Sequence, residues 1–200
     1  MTTYTYQTID PPGSTYTIAN SINSNGQIVG FYYDSQLNIG QVEHGFLDNN
    51  GIYTTIDPPG SVYTDATDIN SVGQIVGVYN TAGVGGLGFL DSKGTYTTID
   101  PPGGTIDGYL HINKAGEIVG TYRDSSGVDH GFLYSHGAYT TLNYPGAPDT
   151  YVQSINDAGQ VVGDYQDSNG AYNDRSPRQH RNLYNFHQQV RNNRRVGHNE

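Results

Sequence analysis

The chain has no cysteine and no tryptophan in its 200 residues. Without cysteine there is no disulfide framework and no thiolate metal site. Basic residues are scarce and displaced. Residues 1–170 hold only Lys93, Lys114 and Arg123 against 17 acidic side chains, a net of −14 within an overall charge of −10. That balance excludes a surface built for nucleic acid or for anionic membrane. No apolar run approaches the roughly 20 residues of a membrane-spanning helix, so no membrane span is expected. The opening residues, MTTYTYQTID, have neither a basic start nor an apolar core, and no signal peptide is read there. Helical periodicity is missing throughout residues 1–170.

What remains is turn-rich and strand-rich: 27 Gly, 9 Pro and 18 Tyr, with Thr, Ile and Val in short runs. Its order is periodic. Ile-Asn-x-x-Gly-Gln/Glu-Ile/Val-Val-Gly begins at Ile22, Ile69, Ile112 and Ile155, at spacings of 47, 43 and 43. A fixed period of this size marks one supersecondary unit that buries its core against its neighbours.

The copy from Ser61 reads as four strands. Tyr63–Asn70 ends in a turn on Ser71, Val72 and Gly73; Gln74–Tyr79, Gly88–Asp91 and Thr95–Asp100 follow, and Asp-Pro-Pro-Gly closes the unit at Asp100–Gly103. Four antiparallel strands in about 43 residues describe one β-propeller blade. The expected fold is therefore all-β, a propeller-like array of four-stranded blades over residues 1–170. Pro-Pro at 11–12, 58–59 and 101–102 cannot donate to a ladder and marks the crossings between units. Tyr4–Asp10 matches the last strand of a unit, Tyr53–Asp57 or Tyr96–Asp100, and is expected to help close the ring.

The pattern stops near residue 170. His-Gly-Phe-Leu, due at 173–176, is replaced by Asn173-Asp174-Arg175-Ser176, and only Gly197 of the glycines lies beyond 170. Residues 171–200 carry six Arg against Asp174 and Glu200, a net of +4, and form a basic, non-repeat tail of disorder-prone composition. Shifting His180–His187 forward by one base, with permitted codons, gives Thr-Gly-Thr-Phe-Thr-Thr-Phe-Thr, close to the missing strand. Frame-shifted coding sequence from about residue 173 is the expectation this raises. The fourth unit then lacks its own third and fourth strands, and the unpaired strand edges favour self-association.

The phrase Ile-Asn-x-x-Gly-x-Ile-Val-Gly followed by His44-Gly45-Phe46, Leu87-Gly88-Phe89 or His130-Gly131-Phe132 resembles the HAF repeat family of bacterial repeats, over about residues 4–170. The alanine of the His-Ala-Phe signature is glycine throughout, and one histidine is leucine. The resemblance implies an extracellular or cell-surface protein and assigns no enzymology and no ligand residues.

Candidate binding residues gather on one expected loop face. Asp10, Asp57, Asp100 and Asn143 precede the crossings, and the loops after the second strands carry Asp34, Asp124 and Asp167, with Tyr32, Tyr33, Tyr79, Tyr122 and Tyr165 beside them. Carboxylates and tyrosines together suit a glycan, a surface protein or, more weakly, Ca²⁺. The plainer alternative is Asx-turn geometry on a solvated rim. No Asp-x-Asp-x-Asp-Gly calcium loop and no His-x-x-x-His spacing is present, and no cofactor is expected. Leu87, at the position of His44 and His130, favours a structural role for those histidines. Catalytic motifs are missing, and the deviations among repeats (Leu87, His111, the insertion within 34–43) form no catalytic set. The expected role is a non-catalytic repeat scaffold or recognition module. A glycan-active enzyme using loop carboxylates and a truncated product without function are the alternatives.

Overall fold

The computed structural model of the protein describes residues 3–34, 42–166 and the pair Tyr184–Asn185. The rest of the tail, Asp167 and the insertion loop at 35–41 lie outside the described residues. Among the described residues the fold is all-β, in several sheets, and the array is not closed.

The first repeat contributes β1 (Ser14–Ile22), β2 (Gln27–Asp34), β3 (Glu43–Asn49) and β4 (Ile52–Ile56), each antiparallel to the one before it. The second contributes β5 (Ser61–Ile69), β6 (Gln74–Thr81), β7 (Leu87–Ser92) and β8 (Thr95–Ile99), paired in the same order. One parallel bridge, Glu43 to Tyr63, joins these two repeats into an eight-stranded sheet. In the third repeat β9 (Gly104–Ile106) and β10 (His111–Ile112) both pair with β11 (Ile118–Asp124), which is followed by β12 (Asp129–Ser135) and β13 (Ala138–Thr141). Gly108, at φ +106°, breaks the pleat between β9 and β10. The fourth repeat has β14 (Thr150–Ile155) and β15 (Val161–Tyr165), and β15 also pairs with β16 (Tyr184–Asn185).

Two sequence expectations change here. Residues 3–11 form no strand, and Tyr4 and Tyr6 are exposed. A last strand forms by pairing with the third strand of its own unit, as β4 does with β3, and no such partner lies beside Tyr4–Asp10 among the described residues. The fourth repeat does have a short third strand, drawn from beyond the break in the repeat. Tyr184 sits opposite Gly163 in the register that Phe132 has opposite Gly120.

The hairpins follow their turn chemistry. Asn50-Gly51, Lys93-Gly94 and His136-Gly137 have positive φ at both residues, as two-residue type I′ loops require. Asp48 and Asp91 each accept the N–H of the turn glycine, at 2.6 Å. In Ile-Val-Gly the glycine makes room for the next strand's aromatic ring: a Cβ on Gly77 would lie 2.1 Å from the Asp65 carbonyl and 2.6 Å from the Phe89 ring. Phe46, Phe89 and Phe132 are accordingly buried at equivalent places.

The core lies between repeats, and the same interface is built three times. Val29 and Ile56 pack with Ile69 and Ile75; Val76 and Ile99 with Ile112 and Ile118; Val119 and Leu142 with Ile155 and Val161. An asparagine ladder runs beside these clusters. In each Ile-Asn-x-x-Gly-Gln/Glu turn the Asn side-chain oxygen accepts the amides two and four residues on, as Asn70 does from Val72 and Gln74 at 3.2 and 2.9 Å. The same side chain's Nδ2 donates to the residue four on and to the next repeat's Asn carbonyl. Asn23 donates to the Asn70 carbonyl at 3.0 Å, Asn70 to that of Asn113 at 3.0 Å, and Asn113 to that of Asn156 at 3.2 Å. Tyrosines tie the repeats again on another side. The hydroxyls of Tyr53, Tyr96 and Tyr139 accept the backbone N–H of Asp10, Asp57 and Asp100, the aspartates that precede the crossings.

Candidate functional site

The predicted loop residues come together in two of the repeats, each time around a histidine. In the first, His44 donates from Nδ1 to Asp57 at 2.6 Å, its Nε2 lies 3.8 Å from Asp34, and the Tyr32 ring packs on it at 5.3 Å. In the third, Asn143 donates to His130 Nδ1 at 2.9 Å, His130 donates from Nε2 to Asp124 at 3.1 Å, and Tyr122 packs on the ring at 5.1 Å. Replacing Asp57 by Asn143 at the equivalent place therefore reverses the tautomer that the ring must adopt. The His130 hydrogen bond, with the amides of Val128 and Ser126, holds the Asp124 carboxyl below its usual range. The histidine and carboxylate side chains of both clusters keep between 20% and 30% exposure.

The other predicted residues do not join such a cluster. Leu87 occupies the histidine position of the second repeat, where Tyr79 is buried with its hydroxyl 3.1 Å from Thr98. Tyr79 lines a cleft of about 490 Å³ with Pro58, Pro59, Phe89 and Tyr96. Asp100 meets Tyr139 through its amide, and Asp10 accepts from Ser14 at 2.5 Å while its amide meets Tyr53. Among the described residues no group of three or more metal-ligating side chains is assembled.

A second constellation centres on two acids outside the expected loop face. Glu43 and Asp65, 3% and 2% exposed, face each other across the junction of the first two repeats. Burial pushes the Glu43 carboxyl up, against hydrogen bonds from the hydroxyls of Tyr33 and Tyr63. Burial, and then the Glu43 charge, push Asp65 from an ordinary 3.8 to about 7, against a 2.6 Å hydrogen bond from Asn20 Nδ2. The bond to Glu43 raises Tyr33 to about 12, and burial raises Tyr63. No cation is bonded to this pair in the described structure. A signal was present in the sequence: Glu43 and Asp65 stand where the second repeat has Gly86 and the third has Gly108. It was hidden because the two lie on different repeats, and the parallel bridge that joins them is not a feature of the period.

No protein-family model matches this sequence, and no curated protein does. Among the described residues no helix is long and apolar enough to cross a membrane.

Proposed function

We propose that the protein is a non-catalytic recognition module, built on a propeller-like array of four-stranded blades, that binds neutral glycans at two equivalent sites. The observation that carries this is the recurrence of one constellation at His44 and His130: a tyrosine ring beside a histidine whose partners include a loop carboxylate, in each case still open to solvent. An aromatic face with fixed acceptors beside it suits the apolar face and hydroxyls of a sugar. Two weak sites on one rigid scaffold gain strength through a multivalent ligand. The resemblance to HAF repeats supports placing this activity outside the cell or at its surface.

The test is retention on a panel of immobilised neutral oligosaccharides. The double variant Tyr32→Ala/Tyr122→Ala should lose retention with its circular dichroism unchanged, and each single variant should lose more than half. Unchanged retention in the double variant overturns the proposal, and so does hydrolysis of any oligosaccharide on the panel. Hydrolysis belongs to the second reading, a glycan-active enzyme with a carboxylate pair. The raised Asp65 beside Glu43 favours that reading, but their near-complete burial opposes it, since a substrate must touch both.

A further inference from the structure

The three inter-repeat interfaces each need an outer face from one repeat and an inner face from the next, and one face of each kind is left open. Ile69, Ile112 and Ile155 are 4%, 6% and 8% exposed, whereas the equivalent Ile22 is 64% exposed. Val29, Val76 and Val119 are fully buried, whereas the equivalent Val162 is 42% exposed. The asparagine ladder is open at the same two places. The Asn23 carbonyl accepts from Gly26, and among the described residues no asparagine donates to it. Asn156 Nδ2 donates to Gln160, and no next carbonyl stands opposite it among the described residues.

We propose that the chain associates head to tail with a second copy of itself, the Val162 and Asn156 face of one copy docking on the Ile22 and Asn23 face of the other. The occupant follows from continuity. Each open face matches what the other has already bound three times inside the chain: a valine against an isoleucine, and an Asn Nδ2 against an Asn carbonyl. Such an interface is heterologous, so every copy that docks presents another open face, and growth continues unless the geometry closes a ring. Half-buried Ile9 on the Ile22 side supplies the residue that Ile56, Ile99 and Leu142 supply elsewhere. Loss of glycan binding would leave this association intact, because Tyr32 and Tyr122 belong to neither open face.

The mass of the 200-residue chain by sedimentation, over a roughly hundredfold range of concentration, tests this. It should rise from monomer to multimers. Ile22→Arg and Val162→Arg change exposed side chains and should each give folded monomers. Mixing the two should restore a dimer and nothing larger, since each retains one good face. Asn156→Asp keeps the oxygen that caps its own turn but loses the ladder donor, and should weaken association about tenfold. A wild-type mass of monomer at every concentration overturns the proposal, and joint loss of stability in both arginine variants would then show that the two faces meet within one chain. Continued self-association of either arginine variant alone, or a mixture that stays monomeric, overturns it as well.

Discussion

The first and third repeats place acidic side chains at the same junction with their successor and handle them in opposite ways. In the third, Asp129 is 3% exposed and accepts two hydrogen bonds from Arg123, both at 2.9 Å; the same guanidinium reaches Asp107 at 2.8 Å. In the first, Glu43 stands at the Asp129 position and Tyr33 at that of Arg123. A phenol offers a hydrogen bond and no charge. The following repeat compounds the difference, with Asp65 where the fourth repeat has Tyr151. One junction thus holds its buried acid as an ion pair. The other holds two buried acids with no cation among the described residues, and their protons take up the difference. A repeat fixes where a side chain sits, while the neighbours at that place decide its charge.

The largest expected effect is the pH dependence of the first junction. Asp65 titrates near 7 in the folded chain and near 3.8 in the unfolded one, so between those values the folded chain holds a proton the unfolded chain has released. Stability is therefore greatest below about pH 4 as far as this group is concerned, falls as the pH rises, and reaches its full loss above about 7. The size is of order 4 kcal/mol. Asp65→Asn should remove that slope: its thermal midpoint should match wild type near pH 4 and exceed it by roughly 10 °C above pH 7. Equal midpoints at pH 8 would mean that the junction carries no such penalty.

Moving the third junction's solution into the first is the next test. Tyr33→Arg supplies Glu43 with the cation that Asp129 has. It should draw both carboxyls down toward their usual range and stabilise the protein at neutral pH by about 2 kcal/mol, the worth of a charge-assisted hydrogen bond. The gain should fade on acidification, as the acids regain their protons. The reverse change, Arg123→Tyr, should destabilise at neutral pH and give the third junction a pH slope of the same sign as the first. Urea midpoints of the two variants at pH 5 and pH 8 check both halves, and a Tyr33→Arg variant less stable than wild type at pH 8 would sink the comparison.

The two junctions also show what a sequence discloses. The strands, hairpins and crossings were legible because each depends on local chemistry: alternating β-branched residues, Asp-x-x-Gly, Pro-Pro-Gly. The asparagine of Ile-Asn-x-x-Gly recurs in every copy, but its second role, donating to the carbonyl about 43 residues on, requires knowing that consecutive turns stack. His44 and His130 were expected to be structural, and their partners do include Asp57, Asp124 and Asn143 from the predicted loop face. Tyr4–Asp10 shows the opposite failure. It has the composition of a last strand and, among the described residues, lacks the partner that would make it one. The Glu43–Asp65 pair is hard to read for a related reason: the two acids lie on different repeats, and the one acidic equivalent either has, Asp129, is partnered by an arginine.

The second repeat supplies the smallest effect and the control. At its junction the equivalents of Arg123 and Asp129 are Asn80 and Gly86, and the bond between them runs from the Gly86 amide to Asn80 Oδ1, at 2.8 Å. The Gly86 carbonyl accepts from Ile106, also at 2.8 Å, so the backbone does here what charged side chains do elsewhere. Asn80→Ala removes one neutral hydrogen bond beside a half-buried loop and should cost about 1 kcal/mol. Neither Asn80 nor Gly86 titrates, and the titratable pair of this junction, His111 beside Asp68 at 3.8 Å, shares no hydrogen bond with them, so that cost should be the same at pH 5 and pH 8. A loss that varies with pH, and still varies when His111 is replaced by Asn, would show that Asn80 senses charge at the first or third junction, and that the three junctions are coupled through the sheet and do not act separately.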